Sequence, residues 1–273
     1  MHVALALVGW LAGTALAQAA APPAGSVYVA LGSSFAAGPG VTTTVEGSPA
    51  RCARSRDNYP HQLAALRGYR LVDASCSGAT SRHLLGAWDE LPPQLDALTA
   101  DTALVTVTIG GNDLGYMGSL MAASRCAAQT STQYCPGVVA PTDADYQAVA
   151  QRLRQVADEV RRRAPAARLL WVDYFTVLPA AGDCRAGPMR AAEATLLRGV
   201  ATRLAQLTAA VAQDTGSQVL RLSQLTVDHH VCAADPWLNG FVRPPGDSPW
   251  APYHPTLGGM TGAARALDAL LGR

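Results

Sequence analysis

Short apolar runs alternate with helix-like periodicity along almost the whole 273-residue chain, and this alternation limits the possible folds more than any other feature. Five runs have the length and apolar content of strands that are buried in a sheet. They cover residues 27–31, 70–74, 103–109, 168–174 and 217–222. Strands that alternate with helices are typical of a parallel sheet with helices on both faces. We therefore predict an α/β fold.

Apolar residues spaced three and four apart predict the helices between these runs. The clearest stripe consists of Tyr146, Val149, Leu153, Val156 and Val160. It ends at the arginines 161–163, whose charge suits the C-terminal end of a helix dipole. A helix from Tyr59 to Gly68, a short one over 92–98, a long one from Pro188 and a closing one over 256–271 are also predicted. Because no repeat or change of composition interrupts residues 26–273, we predict one domain there.

Three of the predicted strands end in glycine and polar side chains. Gly32-Ser33-Ser34 follows the first strand, Ser77-Gly78 the second and Gly110-Gly111-Asn112-Asp113 the third. The carboxyl ends of parallel strands share one edge, where open α/β folds bind their ligands. We therefore predict one shared crevice with Ser34 as its nucleophile. The alternative interpretation is that Ser33 and Ser34 only cap the following helix.

A serine nucleophile needs a base, and histidine titrates near neutral pH. His254 lies in the proline-flanked segment 250–256, just ahead of the closing helix. This segment follows the fifth strand and can return over the edge of the sheet where Ser34 lies. A lone histidine of this kind is more often structural, but the three similar strand ends favour His254 as the base.

The N-terminus resembles a signal peptide. Residues 3–16 are apolar and run into the small-x-small pattern Ala15-Leu16-Ala17, although only His2 stands where basic residues are usual. We predict a signal peptide over 1–17, an Ala/Pro linker over 18–25 and a secreted mature chain. The apolar run is shorter than the roughly 20 residues that a membrane span needs, and no later segment is long enough.

Charge and cysteine content limit the partners. A net charge of +1 argues against nucleic acid as a partner. Six cysteines in an exported chain predict three disulfides, for which the sequence allows fifteen pairings. They are Cys52, Cys76, Cys126, Cys135, Cys184 and Cys232. Their spacings lack the paired short intervals of a zinc site, so we expect no metal and no other cofactor.

The residues at the strand ends resemble the sequence blocks of the SGNH hydrolases, also called GDSL-type lipases and esterases. Gly32-Ser33-Ser34-Phe35 stands where the family has Gly-Asp-Ser-Leu or a similar sequence. Gly78, Gly111-Asn112-Asp113 and His254-Pro255 match the other three blocks in order. The resemblance covers essentially all of the mature chain and is closest to a secreted actinobacterial esterase/lipase branch with three disulfides.

This resemblance implies a three-layer α/β/α sandwich around a central parallel five-stranded sheet, similar to flavodoxin. It implies a hydrolase of lipid or short-to-medium-chain acyl esters, and we expect the enzyme to be a monomer. Ser34 is then the nucleophile, His254 the base, and the oxyanion hole consists of Ser34 and Gly78 N–H groups and the Asn112 side chain. A carbohydrate acetylesterase, a phospholipase A-type enzyme or a non-catalytic binding protein are the alternatives.

The disulfide pairing is also implied by the resemblance alone. In that branch the first cysteine pairs with the second, the third with the fourth and the fifth with the sixth. The expected bridges are Cys52–Cys76, Cys126–Cys135 and Cys184–Cys232. Each bridge is then expected to hold a loop beside the crevice.

Two positions depart from the family pattern. Ser33 stands where the family has an aspartate beside the nucleophile. The triad acid, usually an aspartate three residues before the histidine, is replaced by Ala251. Some members of the branch instead use a backbone carbonyl, which Trp250 or Ala251 can supply to His254. Asp247 is the remaining candidate acid.

Two further sets of residues allow more than one interpretation. The adjacent His229 and His230 suggest a metal site or a loop held by Cys232, and the loop is favoured because adjacent side chains diverge on most backbones. Trp237 and Trp250 suggest an acyl pocket or buried packing within the loops.

Overall fold

The computed structural model describes residues 20–128, 135, 138–246 and 249–272. The predicted signal peptide over 1–17, the start of the linker and Asp247 lie outside these residues. Within the described part, no helix combines the length and the apolar character that crossing a membrane requires.

A five-stranded parallel sheet forms the centre of the fold, as predicted. Each predicted strand agrees with an observed strand to within two residues at either end. The strands are β1 (Val27–Gly32), β2 (Arg70–Asp73), β3 (Thr102–Thr108), β4 (Arg168–Val172) and β5 (Gln218–Leu220). Their order across the sheet is β2-β1-β3-β4-β5. All residues of β1 are buried, because helices cover both of its faces.

Helices flank the sheet on two sides and complete a three-layer sandwich. They are α1 (Ser34–Ala37), α2 (Tyr59–Arg67), α3 (Ser81–Leu85), α4 (Tyr116–Ala128), α5 (Asp143–Arg163), α6 (Ala191–Asp214), α7 (Leu222–Leu225) and α8 (Leu257–Leu271). Helices α2 and α8 pack together on one face, whereas α3 to α6 pack together on the other. The short helix predicted over 92–98 is a 3-10 helix at Gln94–Ala97, and α4 was not predicted.

Helix α5 shows how local sequence signals determine an element. Its predicted stripe of five apolar residues from Tyr146 to Val160 is buried. At its start, the Thr142 side chain accepts the N–H of Asp145, and the Asp145 carboxylate accepts the N–H of Thr142. This reciprocal pair satisfies donors that the first turn of a helix otherwise leaves without partners.

The strand order fixes where a ligand can bind. The chain passes from β1 outward to β2 and then crosses back over β1 to β3, so the direction of winding reverses between β1 and β3. In open α/β sheets the crevice lies outside the carboxyl ends of the strands at such a reversal. Ser34 follows β1 and Asn112 follows β3, which places both residues at this crevice.

The end of β1 is held by an unusual partner. The Gly32 N–H donates to Gln94 Oε1 at 2.7 Å, and Gln94 Nε2 donates to the Gly32 carbonyl at 3.0 Å. The buried carboxamide of Gln94 thereby takes the place of a neighbouring strand beyond the end of β2. On the other side, Gly32 pairs with Thr108 of β3. These contacts fix the backbone immediately before Ser33 and Ser34.

Replacing Gly32 with alanine is expected to destabilise the fold by about 3 kcal/mol or more. Gly32 has a φ of 143°, and an added Cβ would lie 3.0 Å from the Thr108 nitrogen and nearer still to its carbonyl oxygen. Urea unfolding followed by circular dichroism measures the change. Gly199→Ala in α6 is the control, because no atom lies within 4 Å of its added Cβ. We expect the control to stabilise the protein by about 1 kcal/mol. A Gly32→Ala protein as stable as the wild type would contradict this account of the turn.

Candidate active site

Ser34 and His254 meet at the carboxyl edge of the sheet, as their sequence positions predicted. Ser34 is the first residue of α1, and its Oγ lies 2.8 Å from His254 Nε2. Ser33 precedes α1 but makes no capping hydrogen bond with its side chain. The contact with His254 therefore favours a chemical role for Ser34 over the alternative that both serines only cap the helix.

The second ring nitrogen of His254 determines which tautomer is present. Nδ1 lies 2.8 Å from the Pro252 carbonyl oxygen, which can only accept a hydrogen bond. Nδ1 therefore carries the proton, and Nε2 is free to accept the proton of the Ser34 hydroxyl. Burial lowers the pKa of His254 below 6.5, and the hydrogen bond to Pro252 partly opposes this shift. At neutral pH the imidazole is accordingly neutral and able to act as a base.

The carbonyl that orients His254 belongs to neither of the two residues that the sequence suggested. The expectation of Trp250 or Ala251 is wrong, since the acceptor is Pro252. The Ala251 carbonyl instead accepts the backbone N–H of His254 at 3.3 Å and closes a turn. Tyr253 inside this turn has a φ of 62°, a backbone conformation that brings the Pro252 carbonyl back toward the ring.

The loop that carries His254 is anchored on both sides. Tyr253 N donates to the Asn239 carbonyl at 3.0 Å, and Asn239 N donates to the His254 carbonyl at 2.9 Å. The buried Tyr253 hydroxyl is hydrogen-bonded to Ser124 of α4. Trp237, a candidate for the acyl pocket, packs against Gly262 of α8. These contacts hold the imidazole in place without a carboxylate.

Gly78 and Asn112 lie side by side at the ends of β2 and β3. Gly78 is exposed with a φ of 85°, and Asn112 Nδ2 donates to the carbonyl of Ala79 at 2.9 Å. This bond uses one of the two amide hydrogens of Asn112. In the described part of the chain, no group accepts the other amide hydrogen or the N–H groups of Ser34 and Gly78.

A buried ion pair fixes the loop that carries Asn112. The Asp113 carboxylate accepts the backbone N–H of Ser81 at 2.8 Å and its hydroxyl at 2.5 Å. Arg152 of α5 donates to the same carboxylate at 3.1 Å. Because the carboxylate has three donors, its burial is compensated, and the segment after β3 is tied to the start of α3.

The structure contains the three disulfides that the resemblance implied. They are Cys52–Cys76, Cys126–Cys135 and Cys184–Cys232. The first holds the loop just before Gly78, and the third holds the segment after His230. The His230 ring accepts the N–H of Cys232, in keeping with the loop interpretation. The described residues contain no group of three or more possible metal ligands.

Three residues at the site were missed by the sequence analysis: Pro252, Gln94 and Tyr174. The Tyr174 hydroxyl accepts the Gly111 N–H at 3.0 Å and lies 3.1 Å from Ser33 Oγ. A signal for Tyr174 was present, because it follows β4 at the same sheet edge as the other site residues. Gln94 acts through a side-chain carboxamide that replaces the hydrogen bonds of a strand, and Pro252 acts through its main-chain carbonyl. No residue pattern in a sequence identifies either role.

Comparison with known proteins identifies the family of this chain and its fold. The model of the GDSL-like Lipase/Acylhydrolase family matches residues 30–261. Lipase 2 of Streptomyces coelicolor is 34% identical over 99% of this chain and 96% of its own length. The solved structure of a phospholipase A1 from Streptomyces albidoflavus is 29% identical, covers 90% of this chain and 99% of its own, and has a TM-score of 0.71. An extracellular lipase from Streptomyces rimosus is 28% identical, covers 89% of this chain and 99% of its own, and has the same TM-score.

The family match and the full-length relative cover the same strand ends at which Ser34, Gly78, Asn112 and His254 lie. The confirmed five-stranded parallel sheet is also the fold of these relatives. The chain therefore belongs to the GDSL-like lipase/acylhydrolase family and is a carboxylic ester hydrolase.

Proposed function

We propose that this hydrolase cleaves lipid or short-to-medium-chain acyl esters through an acyl-enzyme formed on Ser34. The observation that carries the proposal is the 2.8 Å contact between Ser34 Oγ and His254 Nε2. A nucleophile and base within hydrogen-bond distance, with the base oriented by a third group, are the arrangement that acyl transfer requires. Ser34 has only 5% of its surface exposed, which keeps its hydroxyl directed to His254.

The reaction begins when His254 takes the Ser34 proton as Oγ attacks the ester carbonyl carbon. The imidazolium that forms keeps its Nδ1–H bond to the Pro252 carbonyl. Nε2 then gives the proton to the leaving alcohol, and the acyl group remains on Ser34. In the second half, His254 takes a proton from a water molecule as its oxygen attacks the acyl carbonyl carbon. The bond from this carbon to Ser34 Oγ then breaks, Nε2 returns the proton to Oγ, and the acid is released.

The negative charge on the carbonyl oxygen needs donors that are already in place. The Ser34 N–H, the Gly78 N–H and the second amide hydrogen of Asn112 form the proposed oxyanion hole. They come from the ends of three adjacent strands, and the bond from Asn112 to Ala79 aligns two of them. Donors fixed before the reaction stabilise the developing charge without reorganisation.

Asn112→Ala tests this oxyanion hole. We expect kcat to fall about 10²- to 10³-fold, because one donor to the tetrahedral intermediate is removed. Steady-state kinetics with a soluble p-nitrophenyl ester gives kcat and KM, and thermal unfolding checks that the variant folds. An unchanged kcat in a folded variant would remove Asn112 from the proposed site.

The pH profile tests His254 as the base. The base must be neutral, and burial lowers its pKa below 6.5. We therefore expect kcat/KM to stay level as the pH falls through 6.5 and to decrease only at more acidic pH. Burial raises the pKa of Asp173 to about 6, so this carboxyl group titrates in a similar range.

Asp173→Asn is the control for this profile. Asp173 accepts hydrogen bonds from Ser223, not from His254, so its replacement is expected to leave the acid limb in place. An acid limb at or above pH 6.5, or one that disappears in Asp173→Asn, would contradict the assignment to His254.

A phospholipase A-type activity is the second candidate function. It is favoured by the 29% identical phospholipase A1 structure, which matches 90% of this chain. Both candidates use the same nucleophile and differ only in the alcohol that leaves.

The mature enzyme is proposed to be secreted after loss of residues 1–17. Three disulfides support this proposal, since such bridges persist in oxidising compartments.

A substrate panel tests the proposed function. We expect turnover of p-nitrophenyl esters between acetate and palmitate, and a loss of about 10⁴-fold or more in Ser34→Ala. Ser48→Ala is the matched control and is expected to keep full activity, because the Ser48 hydroxyl donates to the carbonyl of the nearby Val45. Faster release of the sn-1 chain from phosphatidylcholine than of any p-nitrophenyl ester would favour the phospholipase. No turnover of any ester would overturn the proposal.

A further inference from the structure

The segments that carry two of the three proposed oxyanion donors are linked through Tyr174, which lies just after a third strand. Ser34 N–H lies one residue beyond Ser33, and the Asn112 side chain lies one residue beyond Gly111. Tyr174 follows β4, and its hydroxyl bonds both Gly111 N at 3.0 Å and Ser33 Oγ at 3.1 Å. One oxygen atom therefore joins the segment that carries the nucleophile to the segment that carries the asparagine donor.

The direction of these hydrogen bonds follows from the groups involved. A backbone N–H can only donate, so the Tyr174 oxygen accepts from Gly111. The Tyr174 hydroxyl then donates its own proton to Ser33 Oγ, and Ser33 Oγ donates to the Thr108 carbonyl at 3.4 Å. Burial raises the pKa of Tyr174 to about 12, so the hydroxyl keeps its proton at neutral pH. Every donor in this series of hydrogen bonds has an acceptor.

The Tyr174 ring is confined on both sides. A Cβ added at Gly111 would lie 2.9 Å from the Tyr174 oxygen, so only glycine permits this close approach. On the other side, the Phe35 ring packs against Tyr174 with centroids 4.8 Å apart, and Phe35 also contacts the His254 ring at 5.3 Å. Tyr174 is 7% exposed, and this packing fixes where its hydroxyl points.

We propose that Tyr174 is a positioning residue that sets the distance between the Ser34 and Asn112 oxyanion donors through the bonds of its hydroxyl to Ser33 and Gly111. This inference rests on the proposed function. Ser33, which stands where the family has an aspartate, is one end of this link. In this role Tyr174 acts through the Ser33 hydroxyl and the Gly111 main chain rather than on the reacting atoms.

Tyr174→Phe removes only the linking oxygen. We expect kcat to fall about 10- to 100-fold with KM nearly unchanged, because the displaced donors bind the transition state rather than the ester. The inhibition constant of an alkyl trifluoromethyl ketone, which forms a tetrahedral adduct with a catalytic serine, is expected to rise by the same factor as kcat/KM falls. A purely structural role would change the melting temperature but neither of these quantities.

Tyr28→Phe is the matched control. The Tyr28 hydroxyl is also buried and bonds Thr106 Oγ at 2.7 Å, but it lies within the sheet and connects no donor. We expect this variant to lose stability comparably and to keep the wild-type kcat. An equal loss of kcat in Tyr28→Phe would overturn the inference, as would an unchanged kcat in Tyr174→Phe.

A double-mutant cycle with Ser33→Ala tests the connection itself. If the two hydroxyls act as one link, the double variant is no slower than the slower single variant, whereas additive losses would overturn the inference. Should Tyr174→Phe fail to fold, Ser33→Ala removes the other end of the same bond and must show the same selective loss of kcat. A wild type without esterase activity would overturn the proposed function and this inference together. If the wild type is active and Tyr174→Phe has the same kcat, only this inference is overturned.

Discussion

The hydrogen bond between Ser34 and His254 spans 220 positions of the chain, and much of the fold serves to make it possible. Ser34 begins α1 directly after the end of the first strand, and His254 lies in the last loop before α8. Helix α8 packs on α2 and contacts β5, so the end of the chain returns to the sheet. The loop before α8 thereby places the His254 imidazole against Ser34, at the sheet edge where open α/β folds bind their ligands.

The absence of a carboxylate behind His254 in the described residues has a clear physical consequence. A main-chain carbonyl fixes the tautomer and the ring orientation as an aspartate does, but it carries no full charge to stabilise the imidazolium. Burial already disfavours the charged ring, so the neutral base is the stable form over a wider pH range. In the proposed mechanism, the charge stabilisation that a carboxylate would give must come from the proposed oxyanion donors, which makes their placement more important.

The sequence predicted what is encoded locally and missed what is created by distant contacts. The strands, the stripe of α5, Ser34 and His254 follow from apolar patterns and strand ends, and the resemblance added Gly78 and Asn112. Pro252 was missed because a single left-handed residue, Tyr253, decides which carbonyl faces the ring. Helix α4 was missed because only its first part buries large apolar residues, namely Tyr116, Met117 and Leu120. Its later buried positions are Ala123 and Ser124, which do not continue the apolar stripe.

The segment that carries each proposed oxyanion donor is held by a contact from another element, and these contacts differ in kind. Near Ser34, the Gln94 carboxamide forms two hydrogen bonds with Gly32 at the end of β1. The Cys52–Cys76 disulfide fixes the loop before Gly78. The Asn112 loop is tied to α3 and α5 through Asp113. The bonds from Asn112 to Ala79 and from Ser81 to Asp113 join the Asn112 segment to the Gly78 segment. The Tyr174 hydroxyl joins the Asn112 segment to the Ser34 segment. An oxyanion hole needs correct distances between its donors as well as correct positions, so bonds between segments constrain a quantity that anchors on single segments leave free.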